Sequence, residues 1–220
     1  MWAGIRTFMV LGISGLAVLA PAAGTAAGPL IASTGLSGPL VNAGFVSTDP
    51  TGCVETDVFV SANSGTEQDH PGTLRYGVAS VSVFVYDVCT DTVVRQAVGL
   101  DDALEAGQFQ VSQQLDHAVL DATIEVTDID TGASYPMTVD VTWTGTSDIT
   151  RNHSNTNDLF PGCHVINRWK GSGRDAVAAG VVSDGSSNLT PEASQGAEIG
   201  YVVDGFEIIG CADAGLTRLP

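Results

Sequence analysis

Basic residues are scarce in this sequence, which has 8 lysines and arginines against 25 aspartates and glutamates and a formal net charge of −17. Lys170 is the only lysine. A surface this acidic repels phosphate backbones and anionic lipid headgroups. The composition therefore argues against nucleic acid as a partner and leaves an extracellular glycan or protein to consider.

Long apolar runs are absent after the N-terminal segment. Residues 1–27 combine Arg6, an apolar run from Phe8 to Ala20, and small residues that suit a signal peptidase. The run is shorter than the about 20 residues that a spanning helix needs, although an uncleaved anchor remains the alternative. We predict a signal peptide over residues 1–27, secretion to an extracellular location, and no membrane span after cleavage.

No pair of cysteines has C-x-x-C spacing, which argues against a zinc knuckle or a thioredoxin-like site. The cysteines lie at Cys53, Cys89, Cys163 and Cys211. In an exported protein we expect them to form disulfides. Pairing Val60 with Ser82 in an antiparallel hairpin brings the first two cysteines opposite each other, within disulfide reach. We therefore predict Cys53–Cys89 and, because the other two flank the last block of strands, Cys163–Cys211.

Helical periodicity is also nearly absent. Only the segment from Gly99 to Phe109 has helical composition, which predicts one short helix near residues 100–106. Elsewhere Val, Thr and Ile alternate between turn-rich stretches, as in antiparallel strands. The predicted strands are Val54–Ala62, Val78–Cys89, Thr92–Leu100, Phe109–Gln113, Val119–Thr127, Tyr135–Thr144, Cys163–Trp169, Ala176–Ser183 and Glu198–Ile209. This pattern predicts an all-β protein, an antiparallel β-sandwich of Ig-like or jelly-roll type.

The pattern divides the chain beyond the signal peptide into two parts. Residues 28–51 are rich in Gly, Ser and Pro, which indicates a flexible lead-in or an edge strand. Residues 52–220 show no composition shift, and we predict a single sandwich domain over them. Within it, "SANSGTEQDHPG" and "TSDITRNHSNTNDLFPG" are typical of loops.

The triplet Asp130-Thr131-Gly132 lies between two strands with alternating apolar residues. Matching their apolar faces places Val126 opposite Met137 and Ile124 opposite Val139, with an even loop of two or four residues around the triplet. Asp and Gly are standard turn residues, and Gly tolerates positive φ. We therefore predict that the triplet is a hairpin turn.

The same triplet resembles the catalytic aspartate motif of aspartic proteases, and "FEIIGCAD" is similar to the stretch that braces their catalytic loop. The resemblance implies a secreted aspartic-type hydrolase centred on Asp130. Such chemistry needs two carboxylates that share a proton in a cleft, and the sequence has no second triplet. An exposed Asp130 without a partner would favour the hairpin interpretation.

Three further features suggest binding. Trp169, in "INRWKG", lies among polar residues and is a candidate sugar-binding aromatic, although core or edge packing is the commoner role of an aromatic residue. Asp128 with Asp130, or Asp101 with Asp102, could hold calcium loosely, although no EF-hand loop is present and we expect no tightly bound cofactor or metal. Asn152-His-Ser and Asn188-Leu-Thr match the glycosylation pattern.

The stretches "VDVTWTGT" and "GSGRDAVAAGVVSDGSSNLTP" resemble uncharacterised secreted β-rich proteins of high-GC bacteria. The resemblance implies export and a β fold, and it carries no catalytic residues. We interpret the chain as a non-catalytic binding or structural module rather than an enzyme. The alternatives are the hydrolase centred on Asp130 and a carbohydrate-binding module that uses Trp169.

Overall fold

A computed structural model describes residues 30–69, 72–160 and 163–211. The predicted signal peptide lies outside the described residues. Within the described ranges, no helix has the length and apolar character needed to cross a bilayer.

The described residues form ten antiparallel strands, which confirms the all-β prediction. The strands are β1 Leu30–Thr48, β2 Val54–Asp69, β3 Gly72–Asp87, β4 Thr92–Asp101, β5 Phe109–Val111, β6 His117–Asp128, β7 Ser134–Gly145, β8 Thr150–Phe160, β9 Cys163–Ser183 and β10 Gly196–Cys211. Their order is β10-β1-β2-β3-β4-β6-β7-β9-β8, and β5 pairs with β6.

The short helix predicted near residues 100–106 does not form. Asp101 ends β4, and its carboxylate accepts a hydrogen bond from the backbone of Ala103. The backbone N–H of Leu104 then donates to the carbonyl of Gly77 on β3 at 3.1 Å. Because this N–H bonds to the sheet, and Gly107 turns the chain with a φ of 102°, the segment is a loop.

The predicted sandwich type is not confirmed, because the described strands belong to one sheet rather than two. β9 pairs with both β7 and β10, so hydrogen-bonded pairing continues from one end of the strand order to the other. The narrowest junction is between β4 and β6, where only Ala97, Val98 and Gly99 pair. A Cβ atom on Gly99 would lie 2.7 Å from Cγ2 of Val126, so glycine allows this close approach.

Alternate residues of the strands fill the interior. β6 and β7 supply the largest share, including Leu120, Ile124, Met137 and Trp143, each 0% exposed. The indole Nε1 of Trp143 donates a 2.8 Å hydrogen bond to the backbone carbonyl of Asn42 on β1. This bond satisfies the polar end of a buried aromatic and ties opposite walls of the core together.

Six strands continue beyond this core as one curved sheet, in the order β8-β9-β10-β1-β2-β3. Pairing of β2 with β3 continues to Asp69 and Gly72, and pairing of β8 with β9 continues to Phe160 and Cys163. In β9, residues 163–173 pair with β8, whereas residues 176–183 pair with β7. The extension therefore has an inner face, continuous with the core side, and an outer face.

Four segments differ from the sequence prediction. The loop predicted over "SANSGTEQDHPG" instead extends β2 to Asp69 and contains the start of β3 at Gly72. The predicted lead-in or edge strand contains β1, which pairs with β10 on one side and β2 on the other. The loop predicted around Asn152 forms β8, and the two strands predicted within 163–183 are one continuous β9. In each case glycines or polar residues interrupt the apolar alternation that predicts a strand.

The Cys53–Cys89 disulfide is confirmed, with a Cα–Cα distance of 5.2 Å, but the register used to predict it is wrong by one residue. Val60 pairs with Val81 rather than Ser82, and Cys89 lies in the turn after β3. At the far end of the sheet, the register places Cys163 opposite Cys211 in backbone pairing. The disulfide between that second pair remains a prediction.

Candidate functional site

Asp130 lies in the exposed turn between β6 and β7. The turn is built by Asp128, whose carboxylate accepts 2.8 Å hydrogen bonds from both the backbone and the hydroxyl of Thr131. Gly132 has a φ of 70°, and its N–H donates to the carbonyl of Asp128. The triplet therefore has the turn geometry that the hairpin interpretation requires.

The register of this hairpin differs from the prediction by two residues. Ile124 pairs with Met137 and Ala122 with Val139. The predicted and observed registers place the same residues on the inner face, because side chains alternate with a period of two. The Asp128–Ala133 turn sets the difference, since Asp128 donates to the carbonyl of Ala133 at 2.9 Å.

Among the carboxylates proposed for loose calcium binding, those of Asp128 and Asp101 already accept hydrogen bonds from their own turns. The pKa of Asp128 is lowered, mainly by its hydrogen bonds with Thr131, and Nε of Arg95 lies 3.9 Å from its carboxylate. The carboxylate of Asp101 caps its own loop. In the part of the chain that the structure describes, no three His, Cys, Asp or Glu side chains cluster as metal ligands.

Trp169 lies on the outer face of β9, where its backbone pairs with Ser154 of β8. Its side chain is 39% exposed. A Cβ atom on Gly171 would lie 3.1 Å from Cζ3 and 3.5 Å from Cε3 of the indole, so the ring leans along the strand over Gly171. The ring is therefore outside the core, and both edge packing and a sugar-binding role are compatible with this position.

Glu198 occupies the adjoining position on the same face. Its Oε1 would lie 2.6 Å from a Cβ atom on Gly173, so the carboxylate covers Gly173. Burial raises the pKa of Glu198, Asp175 across the strand pair raises it further, and a hydrogen bond with Asn42 opposes both. Residues two apart on a strand lie about 7 Å apart, so the ring over Gly171 and the carboxylate over Gly173 occupy successive positions of the outer face.

Polar side chains of β8 border this surface. Asn152 pairs with Gly171 and is exposed, and Thr150 pairs with Gly173. The hydroxyl of Thr150 donates to the carbonyl of Gly173 at 3.1 Å. We call the surface formed by Trp169, Gly171, Gly173, Asn152 and Glu198 the Trp169 trough.

The Trp169 trough combines an aromatic face with an amide and a carboxylate. The face of an aromatic ring carries negative charge density and attracts positively polarised C–H groups. The amide of Asn152 can donate and accept hydrogen bonds, and the carboxylate of Glu198 can accept them. This pairing of an apolar platform with polar neighbours suits a ligand that has both C–H faces and hydroxyl groups.

No protein-family model, curated protein or solved structure matches this chain. The residues of the site are therefore assigned from geometry alone. The sequence identified Trp169, because an aromatic residue stands there among polar ones. It did not identify Glu198, which reaches the trough only through pairing between β9 and β10.

Proposed function

We propose that the chain is a secreted carbohydrate-binding module that holds a glycan on the Trp169 trough. The exposed position of the Trp169 ring over Gly171, beside the carboxylate of Glu198, is the observation that carries this proposal. A sugar ring would stack on the indole, and its hydroxyls would bond to Asn152 and Glu198. Such a module has no catalytic role.

The shape of the trough supports an extended glycan rather than a deeply enclosed small molecule. The indole covers Gly171 and the carboxylate of Glu198 covers Gly173, so the two groups follow each other along the outer face of β9. Asn152 and Thr150 border them along β8. Several sugar units could therefore lie along the strand direction.

Affinity gel electrophoresis tests the proposal with soluble xylan, mixed-linkage β-glucan, galactomannan and dextran as probes. We expect at least one of these polysaccharides to retard the wild-type protein, and Trp169→Ala to abolish the retardation. Trp169→Phe should retain part of it, because a smaller aromatic face remains. Glu198→Gln should weaken it less than Trp169→Ala does, since the amide keeps an acceptor.

Tyr201 provides the matched control. It is 40% exposed, close to the value for Trp169, and it lies on β10 opposite Ser172, on the inner face. Tyr201→Ala should therefore leave the retardation unchanged. Retardation that survives Trp169→Ala, or that Tyr201→Ala removes equally, would contradict the proposed site.

The proposal includes export, which has its own test. The secreted protein should begin between Ala23 and Gly28, because the small residues there suit signal peptidase. N-terminal sequencing of the exported material measures this directly. A secreted chain that still carries Met1 would contradict the predicted signal peptide.

A further inference from the structure

A second surface lies on the opposite side of the same strands and carries positive charge. Arg151 pairs with Ser172, His153 with Lys170, and Asn155 with Arg168. Because side chains alternate along a strand, Arg151, His153, Arg168 and Lys170 project from the inner face of the extension. All four are exposed. We call them the basic cluster.

This clustering is notable in a chain with only 8 lysines and arginines in total. Both ion pairs formed by the side chains that the structure describes belong to Arg95. The backbone of Lys170 pairs with Asp204 of β10. Like charges on neighbouring strands are destabilising. Arg151, Arg168 and Lys170 thus bring three of the 8 basic residues together on one face of an acidic protein, which is the charge pattern of a site for an anion.

A cavity adjoins the basic cluster at the end of the core. Its volume is about 330 Å³. On the sheet side it is lined by Pro39, Ser172 and Tyr201. On the other side it is lined by Val111 at the end of β5 and by Ser112, Gln113 and Leu115 of the connection that follows. Ser172 is the backbone partner of Arg151, so Arg151 lies next to this wall of the cavity.

The lining of the cavity is suited to an apolar body. Pro39, Val111, Leu115 and the ring of Tyr201 present carbon atoms, while Ser112, Gln113 and Ser172 supply polar groups. The volume lies within the range of small-molecule sites, at the lower end. An apolar group that fills this space would place a charged end beside Arg151 and Lys170.

We propose that the cavity and the basic cluster, which together we call the inner groove, bind an organic anion. Its apolar body would lie in the cavity and its carboxylate or phosphate at Arg151 and Lys170. Charge-assisted hydrogen bonds from guanidinium and ammonium groups are stronger than neutral ones. The net negative charge of the protein does not prevent this contact, because salt screens charges beyond about 8 Å at physiological ionic strength. The groove is on the face opposite the Trp169 trough and does not depend on the proposed glycan binding.

The test uses 8-anilinonaphthalene-1-sulfonate, an anion with an apolar body, as a fluorescent probe of the full chain. Bound probe should be displaced by decanoate or by decyl phosphate, and comparison of these two distinguishes a carboxylate from a phosphate ligand. Decanol lacks the charge and acetate lacks the apolar body, so neither should displace the probe at matched concentration.

Variants locate the site. Arg151→Gln and Lys170→Gln should each weaken probe binding on the order of ten-fold, the effect of losing one charge-assisted hydrogen bond. Arg75→Gln is the matched control, because it removes one exposed cation from β3, four strands away from β9. Trp169→Ala should also leave probe binding unchanged.

Three results would overturn the proposal. The first is that the wild-type protein binds no probe. The second is that the double variant of Arg151 and Lys170 retains wild-type affinity while its thermal melt shows that it is folded. The third is that decanol displaces the probe as effectively as decanoate, which would show that the cations contribute nothing.

Discussion

Arg95 and Asp184 form the ion pair whose removal has the most readily calculated consequence. Nη1 of Arg95 donates to the carboxylate of Asp184 at 3.0 Å, and the two side chains are 27% and 12% exposed. Arg95 also donates to the hydroxyl of Tyr135 and lies 5.0 Å from the centre of its ring. This network joins β4 to β7 and to the loop after β9.

Asp184→Asn removes the charge and keeps an oxygen that can accept from the backbone of Ser186, as Oδ1 of Asp184 does at 3.0 Å. Burial alone would raise the pKa of Asp184, but hydrogen bonds from Ser186 and Arg95 outweigh it and lower the pKa from 3.8 to about 2. Each pKa unit corresponds to about 1.4 kcal/mol, so the drop from 3.8 to about 2 is worth at most about 2.5 kcal/mol. Partial exposure screens the pair, and we expect a loss of about 1 kcal/mol at pH 7.

The pH dependence identifies the cause. Because the pKa is lower in the folded than in the unfolded state, the stabilisation is present above pH 3.8 and is lost as pH falls towards 2. Urea unfolding of wild type and Asp184→Asn should therefore show a gap at pH 7 that closes near pH 2. Asp130→Asn, in an exposed turn, should match the wild type throughout. A gap of the same size at every pH would refute the electrostatic explanation.

Three further predictions concern stability and linkage. Trp143→Phe should lower the free energy of unfolding by about 2–4 kcal/mol in urea, because it shrinks a buried ring and leaves a buried carbonyl unpaired; a loss under about 0.5 kcal/mol would contradict this. Gly99→Ala should cost about 1–3 kcal/mol through overpacking, whereas Gly44→Ala, whose Cβ would meet nothing within 4 Å, is the control. Unreduced peptide mapping should find Cys163 linked to Cys211, and any other partner would disprove that pairing.

The hairpin between β6 and β7 shows how far sequence patterns reach. Apolar alternation identified both strands and the correct inner face, since that information is local. The register was wrong by two residues, because two registers with the same parity align the apolar faces equally well. The hydrogen bonds of Asp128 within the turn decide between them, and they depend on geometry that alternation does not contain.

The strand β8 was missed for a different reason. Its inner-face residues Arg151, His153 and Asn155 lie beside an open groove rather than the core, so the strand has no apolar alternation. β1 was hidden by glycine and proline. The same cause hid the basic cluster, because these cations come together only when β8 pairs with β9. Cys53–Cys89 was predicted correctly despite a register error of one residue, since disulfide geometry tolerates that offset.

The indole N–H signals of Trp169 and Trp143 in a ¹⁵N–¹H spectrum test the proposed glycan site most directly. Oligomers of β-1,4-linked glucose, xylose and mannose are titrated into the labelled protein. With at least one of them, the signal of exposed Trp169 should move in a saturable manner, while that of Trp143, buried and bonded to the carbonyl of Asn42, stays in place as the internal reference. An oligomer that binds without moving the Trp169 signal, or a panel in which none moves it, would contradict glycan binding at the Trp169 trough.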